Sequence, residues 1–311
     1  MSTNSALDPD IYTSVDALTR LKFKANGFTY NRNQPINSIL AGKNNSKLRG
    51  RGLNFEEMRQ YQIGDDIRTM DWKVTNRTGK PHVKVYTEER ERNIILLVDQ
   101  RQSMFFGSTN KMKSVIAAEI AALSAWQVIA STDRIGAVVF NDERSVTLQP
   151  KRSSQQAIKV FAEITKQNHQ LESGITSIDS QLSLENMFQQ TLRVVGHDAL
   201  VILISDGYGW NDKCTEYTKR ISQHNDIVFC HVTDPLEHKL AKMSQMVISD
   251  GNMQVEVSAQ EKSIQESFES DVNQAIEAFV KIANKHRIPL LPFNTIEESD
   301  KQLRRALGVL T

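Results

Sequence analysis

Cysteine is almost absent from this 311-residue chain, where Cys214 and Cys230 are the only two. They can close one disulfide or stay as buried thiols, and thiols in a reducing cytoplasm are the expectation. Two cysteines lack the partners for a four-ligand zinc site. The seven histidines are scattered. His231 and His238 lie too far apart to share a helix face at i, i+4, and no H-E-x-x-H occurs. No run of 18 or more apolar residues exists, so no membrane span is expected. Residues 1–10 are polar and acidic, without the charged-then-apolar pattern of a signal peptide, and the expected location is cytoplasmic. There is no G-x-x-x-x-G-K-[ST] phosphate loop and no G-x-S-x-G nucleophile elbow. Gly50-Arg51-Gly52 begins a glycine pattern, but Phe55 stands where its third glycine belongs, so it reads as a flexible basic turn. Most common enzyme signatures are missing.

What remains is a globular composition. Hydrophobic residues are 39% and charged residues 24% of the chain, which excludes wholesale disorder. The length suits one large domain or two ordinary ones. Lysine plus arginine total 38 against 37 acidic residues, so the whole protein has no net field to steer it toward nucleic acid or membrane. The balance is unevenly spread. Residues 43–92 hold 12 basic and 8 acidic groups, a net of +4, and the remainder holds 26 against 29, a net of −3.

Along the chain the texture changes near residue 93. Before it, Val15, Leu18 and Leu21 sit at helical spacing after Asp8-Pro9, and residues 31–38 read as loop. Val83, Val85 and Thr87 alternate with His82, Lys84 and Tyr86, a half-exposed strand pattern. After it come continuous apolar runs at 94–98, 135–140, 199–204 and 227–232. Runs of this length, apolar on both faces, suit parallel strands covered by helices on each side. Leu290-Leu291 reads as a fifth, placed at an edge by Pro289 and Pro292. Helical stripes lie between: Met112, Ile116, Ile120 and Leu123; then Leu182, Met187, Phe188, Leu192 and Val195; then Ile264, Phe268, Val272, Ile276, Phe279 and Val280. Asp250-Gly251 reads as a hairpin tip. The alternation predicts an open, doubly wound, mostly parallel α/β sheet with an N-terminal helical and β extension. The expected division is 1–42 as a peripheral segment, 43–92 docked on the sheet domain, and 93–311 as that domain.

Two aspartates end buried runs at the carboxyl edge: Asp99 after the first and Asp206 after the third. In a doubly wound sheet that edge holds the ligand crevice. The loop after Asp99 reads D-x-R-x-S, with Arg101 and Ser103. Two carboxylates with hydroxyls form an oxygen site suited to Mg²⁺. Alternatively Asp99 caps the next segment and Asp206 belongs to an Asp206-Gly207 turn.

Asp99-x-Arg101-x-Ser103-Met104, the helix after it, Asp133-Arg134-Ile135-Gly136 and Ser205-Asp206-Gly207 resemble a von Willebrand factor A-like domain. Upstream, Arg49-Gly50-Arg51-Gly52, Phe55-Glu56-Glu57, Tyr61, Gly64-Asp65-Asp66, Arg68, Asp71-Trp72 and Glu88-Glu89 resemble the signature of the bacterial domain-of-unknown-function family 58. The resemblance covers roughly residues 45–310. It implies a Rossmann-type sheet carrying a metal-ion-dependent adhesion site, whose ion takes an acidic group from a partner protein. Carried over by motif, its residues are Asp99, Ser103 and Asp206, with Thr176 as the threonine placed by spacing. It also implies a protein partner, a MoxR-type AAA+ ATPase, in the assembly or maturation of other proteins.

This chain departs from the metal pattern at Arg101, which stands where the first hydroxyl belongs. Two arrangements are open. Arg101 turns outward beside an ion such as Mg²⁺, or its guanidinium pairs with Asp99 and Asp206 and replaces the ion. The resulting expectation is a non-enzymatic interaction module whose crest is Asp99, Arg101, Ser103, Thr176 and Asp206. Two other readings compete. One is a divalent-metal phosphoesterase using Asp99 and Asp206, weakened by the lack of a second loop carboxylate. The other is nucleic-acid binding through residues 43–92, where Lys47, Arg49 and Arg51 lack aromatic partners and acidic groups follow closely. Asp65-Asp66, Asp71 and Glu88-Glu89 are expected in salt bridges with neighbours such as Arg68 and Arg90, and Trp72 as an anchor packing the segment onto the sheet.

Overall fold

The computed structural model describes residues 8–25, 54–87, 91–172, 184–237, 245–249, 254–258, 279–286 and 288–308. The chain divides into two compact units, Met1–Ala41 with Arg92–Thr311, and Gly42–Glu91. The first unit begins with two short helices, α1 (Val15–Arg20) and α2 (Lys22–Ala25). Ser14 starts α1 by accepting from Ala17 N at 3.2 Å, as an N-cap serine does. The expected stripe is real: Leu18 is fully buried, with Val15 and Leu21 packed against the same core. Residues 8–25 are thus integral to the sheet unit. Thr13 N donates to Asn168 Oδ1 at 2.8 Å and Trp126 Nε1 to Leu18 O at 3.1 Å.

The second unit pairs β1 (Asn54–Gln60) with β2 (His82–Thr87), antiparallel, around a short helix α3 (Trp72–Thr78). Asp71 caps α3 through Lys73 N and Val74 N, and Gly79 ends it in the left-handed region at φ 69°. Among the described residues, Asp65, Asp66 and Asp71 have local partners, and Arg90 lies outside the described residues. Asp65 takes a two-pronged Arg59 fork at 2.7 and 2.8 Å, Asp71 pairs with Lys84 at 2.9 Å, and Asp66 caps the turn at Ile67–Thr69. Trp72, expected as a packing anchor, is 61% exposed. Residues 43–53 and 88–90, which include Lys43, Lys47, Arg49, Arg51, Glu88 and Glu89, lie outside the described residues.

The main sheet holds β3 (Asn93–Asp99), β4 (Arg134–Phe140), β5 (Ser145–Lys151), β6 (Leu200–Ser205) and β7 (Asp226–Thr233). A separate antiparallel pair, β8 (Gln245–Ser249) and β9 (Gln254–Ser258), flanks the expected Asp250-Gly251 tip, which itself lies outside the described residues. The sixth strand of the main sheet is β10 (Leu290–Asn294). The spatial order is β10-β7-β6-β3-β4-β5, parallel throughout except for β5. Prolines fall on the two edge strands, Pro292 in β10 and Pro150 in β5, where a missing ladder donor is tolerated.

Alternate residues of the central strands face two cores. Ile94, Leu96 and Val98 join one with α4 (Lys113–Ala130) and α5 (Ser154–Asn168). Ile95 and Leu97 join the other with α6 (Leu184–Val194) and α7 (Asp212–Ser222). A helical stretch over 279–285 adds Phe279 and Ala283 to the second core; residues 264–278 of the expected long stripe lie outside the described residues. The last helix, α8 (Ser299–Ala306), returns Leu303 to the first core. Burial on both faces explains why the strand sequences are unbroken apolar runs. Helix α4 is long and apolar enough to cross a membrane by length and composition, but 83% of it is buried inside the protein as its central helix.

This topology is a doubly wound, mostly parallel sheet. The first strand, β3, has β4 on one side and β6 on the other, so the chain reverses direction there. The crevice of such a sheet opens at the carboxyl ends of that strand pair. Val98 lies in register with Ile204, which sets Asp99 beside Ser205.

Candidate functional site

The carboxyl end of β3 delivers Asp99, and the turn after it brings Arg101 back over the same carboxylate. Arg101 N and Nε donate to Asp99 Oδ1 at 3.0 and 2.9 Å, and Nη2 donates to Oδ2 at 2.6 Å. Ser205, the last residue of β6, donates its hydroxyl to Oδ2 at 2.7 Å and accepts from Gly207 N at 3.0 Å. Asp99 is completely buried and Arg101 nearly so. A carboxylate has about four acceptor positions. All four on Asp99 are filled by donors of this chain.

Asp206 follows in the next turn. Its Oδ1 accepts from Tyr208 N at 2.9 Å and lies 3.8 Å from Arg101 Nη2. Its Oδ2 accepts from Lys113 Nζ at 3.0 Å. Lys113 opens α4 and is 2% exposed, and its ammonium also pairs with Glu237. Burial disfavours the Asp206 carboxylate, but Lys113 and Arg101 outweigh it and hold this carboxyl down to about 2. Burial likewise works against the Lys113 ammonium, yet Asp206 and Glu237 raise it above its ordinary value, so it stays protonated. Arg101 Nη2 also donates to Tyr208 O at 3.0 Å, and Phe140 lies beneath the guanidinium at 5.7 Å. Asp142 closes the near side by accepting from Gln102 N at 2.5 Å, and partial burial raises its carboxyl.

The structure brings Asp99, Arg101 and Asp206 together, and Ser103 follows Arg101 by two residues in the same loop. Thr176 lies outside the described residues. Of the two arrangements open to Arg101, it adopts the inward one. Lys113, Glu237 and Ser205 complete the cluster without having been singled out in the sequence as site residues. A lysine heading an apolar stripe was the only local signal for Lys113, since its partner Asp206 is 93 residues away.

Whether this crest fits a divalent ion turns on two opposed observations. Ser103 Oγ is buried with no hydrogen-bond partner among the described residues, as a vacant ligand would be. Such an unmet hydroxyl costs about 1–3 kcal/mol. Against it, a divalent ion roughly 4 Å from a single unit charge meets repulsion of about 8 kcal/mol at an effective dielectric near 20, and two cations are already seated here. Every acceptor position of Asp99 is already taken and Lys113 holds Asp206, so the residues present do not fit the ion. Among the described residues, no group of three or more His, Cys, Asp or Glu is arranged to hold a metal.

The fold and the site position define a doubly wound α/β domain with buried ion pairs at the switch point of its sheet. The chain belongs to the family described as protein of unknown function DUF58, whose model matches residues 57–278. It is 27% identical over 248 residues to uncharacterized proteins of Mycobacterium tuberculosis and Mycobacterium bovis, covering 79% of this chain and 74% of each relative. Among solved structures it is similar to manganese-loaded TRAP protein of Plasmodium vivax, with 20% identity, 45% of this chain, 57% of that one and a TM-score of 0.31. It is also similar to a von Willebrand factor type A protein from Catenulispora acidiphila, with 11% identity, 61% of this chain, 44% of that one and a TM-score of 0.33. The chain therefore spans little more than half of the first and under half of the second.

Proposed function

We propose that this protein is a non-enzymatic, cytoplasmic protein-interaction module whose crest takes an acidic group of a partner protein, with a MoxR-type AAA+ ATPase as the partner. The supporting observation is the donor that Arg101 has left over. Nε and Nη2 are committed to Asp99 and Tyr208, while Nη1 makes no hydrogen bond among the described residues. Gly209, in the left-handed region at φ 77°, is the neighbour of Nη1 and has no side chain to cover it. An arginine held by one carboxylate and offering a free N–H pair is preorganised for a second. Ser103 and Asp206 belong to the proposed site beside Arg101, as does Thr176, which lies outside the described residues.

The phosphoesterase reading requires Asp99 and Asp206 free to hold ions, and each is instead held by a cation of the chain. Co-purification of tagged protein with the ATPase, wild type against Arg101→Lys, tests the module. Lysine keeps the charge but loses the fork. Loss of the ATPase from a variant with unchanged circular dichroism supports the crest; an unchanged set of co-purifying proteins argues against it.

A further inference from the structure

We infer that the crest carries its cation in its own chain: Arg101, backed by Lys113, occupies the place of a divalent ion, and the site is independent of metal. The inference concerns the crest alone and does not depend on which partner it meets.

Three features of the geometry carry it. First, Asp99 has no acceptor position to spare. Arg101 N, Nε and Nη2 and Ser205 Oγ take all four, at 2.6 to 3.0 Å. An ion seeking a carboxylate oxygen at about 2.0–2.6 Å would have to displace the guanidinium from a site where it is 4% exposed. Second, Asp206 is bridged to the same two cations, with Lys113 Nζ at 3.0 Å and Arg101 Nη2 at 3.8 Å. The two aspartates that converge at the strand switch are thus joined through positive side chains, as an ion would join them. Third, two fixed positive charges already offset most of the acidic charge, leaving a net of −1 over the five groups in direct contact (2 − 3). Arg101 and Lys113 face Asp99, Asp206 and Glu237, with Asp142 at the margin. The fixed guanidinium also does what an ion's open position does, because Nη1 points a charged donor away from the bound carboxylates. Unlike a bound ion, it cannot be removed by chelation.

The test is metal titration of the whole protein with Mn²⁺ alone, by calorimetry and by thermal melting, with EDTA-treated protein as reference. Wild type should show no saturable binding at the crest and the same melting temperature in Mn²⁺ and in EDTA. Arg101→Ser restores a hydroxyl and frees Asp99. It should melt lower in EDTA and gain about 5–10 °C when Mn²⁺ is a hundredfold above its dissociation constant. Mn²⁺ binding by wild type that Asp99→Asn abolishes would overturn the inference. So would a folded Arg101→Ser protein as blind to Mn²⁺ as wild type. Should Arg101→Ser fail to fold, the wild-type titration with Asp99→Asn as its control still decides.

Discussion

Arg101 grips both oxygens of Asp99, the residue two positions before it, with Nε 2.9 Å from Oδ1 and Nη2 2.6 Å from Oδ2. Both side chains are out of water, so each neutralises a charge the other could not bury alone. Removing one partner therefore differs from removing both. Asp99→Asn should lower the unfolding free energy by about 3–5 kcal/mol, because the guanidinium stays behind uncompensated. The double variant Asp99→Leu with Arg101→Met should recover most of that loss. Chemical denaturation of the single and double variants measures both, and additive losses would show that the pair does not act as a unit.

Lys113 has the same logic with two dependants. Its ammonium is the cation shared by Asp206 and Glu237, and the side chain is 2% exposed. Lys113→Met keeps the volume and leaves two carboxylates facing each other. The expected loss is about 3–5 kcal/mol, read by denaturant melts at pH 7. Lys111→Met, two residues earlier and just ahead of the helix, whose pair with Glu119 is more exposed, should cost under about 1 kcal/mol. Equal losses would mean that burial does not set the cost.

The sheet was legible in the sequence because its central strands are covered on both faces. Ile94 to Val98 and Leu200 to Ile204 alternate between two cores, so no polar residue interrupts them. Strand β5 carries no such run, since it is a half-exposed antiparallel edge, and its Val146 and Leu148 are only partly buried. Asp99 and Arg101 were legible as a pair because a single residue separates them. The choice between an outward and an inward arginine was not, for it depends on Phe140 and Tyr208 from other strands and turns. The Lys113 contact was hidden for the same reason. Helical spacing places a residue on a face, but nothing local announces a carboxylate delivered from β6.

Acid should find the crest. Asp206 is held at about 2 against an ordinary 3.8, where burial alone would have raised it. A carboxyl depressed by folding adds stability that is fully present above the unfolded value of 3.8 and is lost as pH falls through about 2. The shift corresponds to about 2 kcal/mol. Melting temperature followed from pH 5 to pH 2 should fall more steeply in wild type than in Asp206→Asn. Parallel curves would place the acid sensitivity elsewhere.

The two cysteines should be inert while the protein is folded. Burial pushes the Cys214 thiol up to about 11 and the Cys230 thiol up to about 12, and both are free. Thiolate is the reactive form, so almost none exists at pH 8. Iodoacetamide at that pH should add nothing to native protein and two groups after unfolding, with no reductant required. Mass spectrometry reads the outcome; one fast native addition would place a thiol at the surface.

Gly207 links the crest to the helical stretch behind it. Its φ is 76°, and a Cβ there would sit 3.1 Å from Phe279 Cγ, inside ordinary contact. Its N–H also donates to Ser205 Oγ, the hydroxyl that holds Asp99 Oδ2. Gly207→Ala must therefore strain the backbone and push against a ring packed on Phe229 and Trp210. A loss of about 1–3 kcal/mol is expected. Gly196→Ala is the control, because nothing lies within 4 Å of its added carbon, and it should change stability by less than about 0.5 kcal/mol. Denaturant melts of the two variants compare them directly. If the turn at Gly207 positions the crest as well as the fold, Gly207→Ala should also release the ATPase in the co-purification, while Gly196→Ala should retain it.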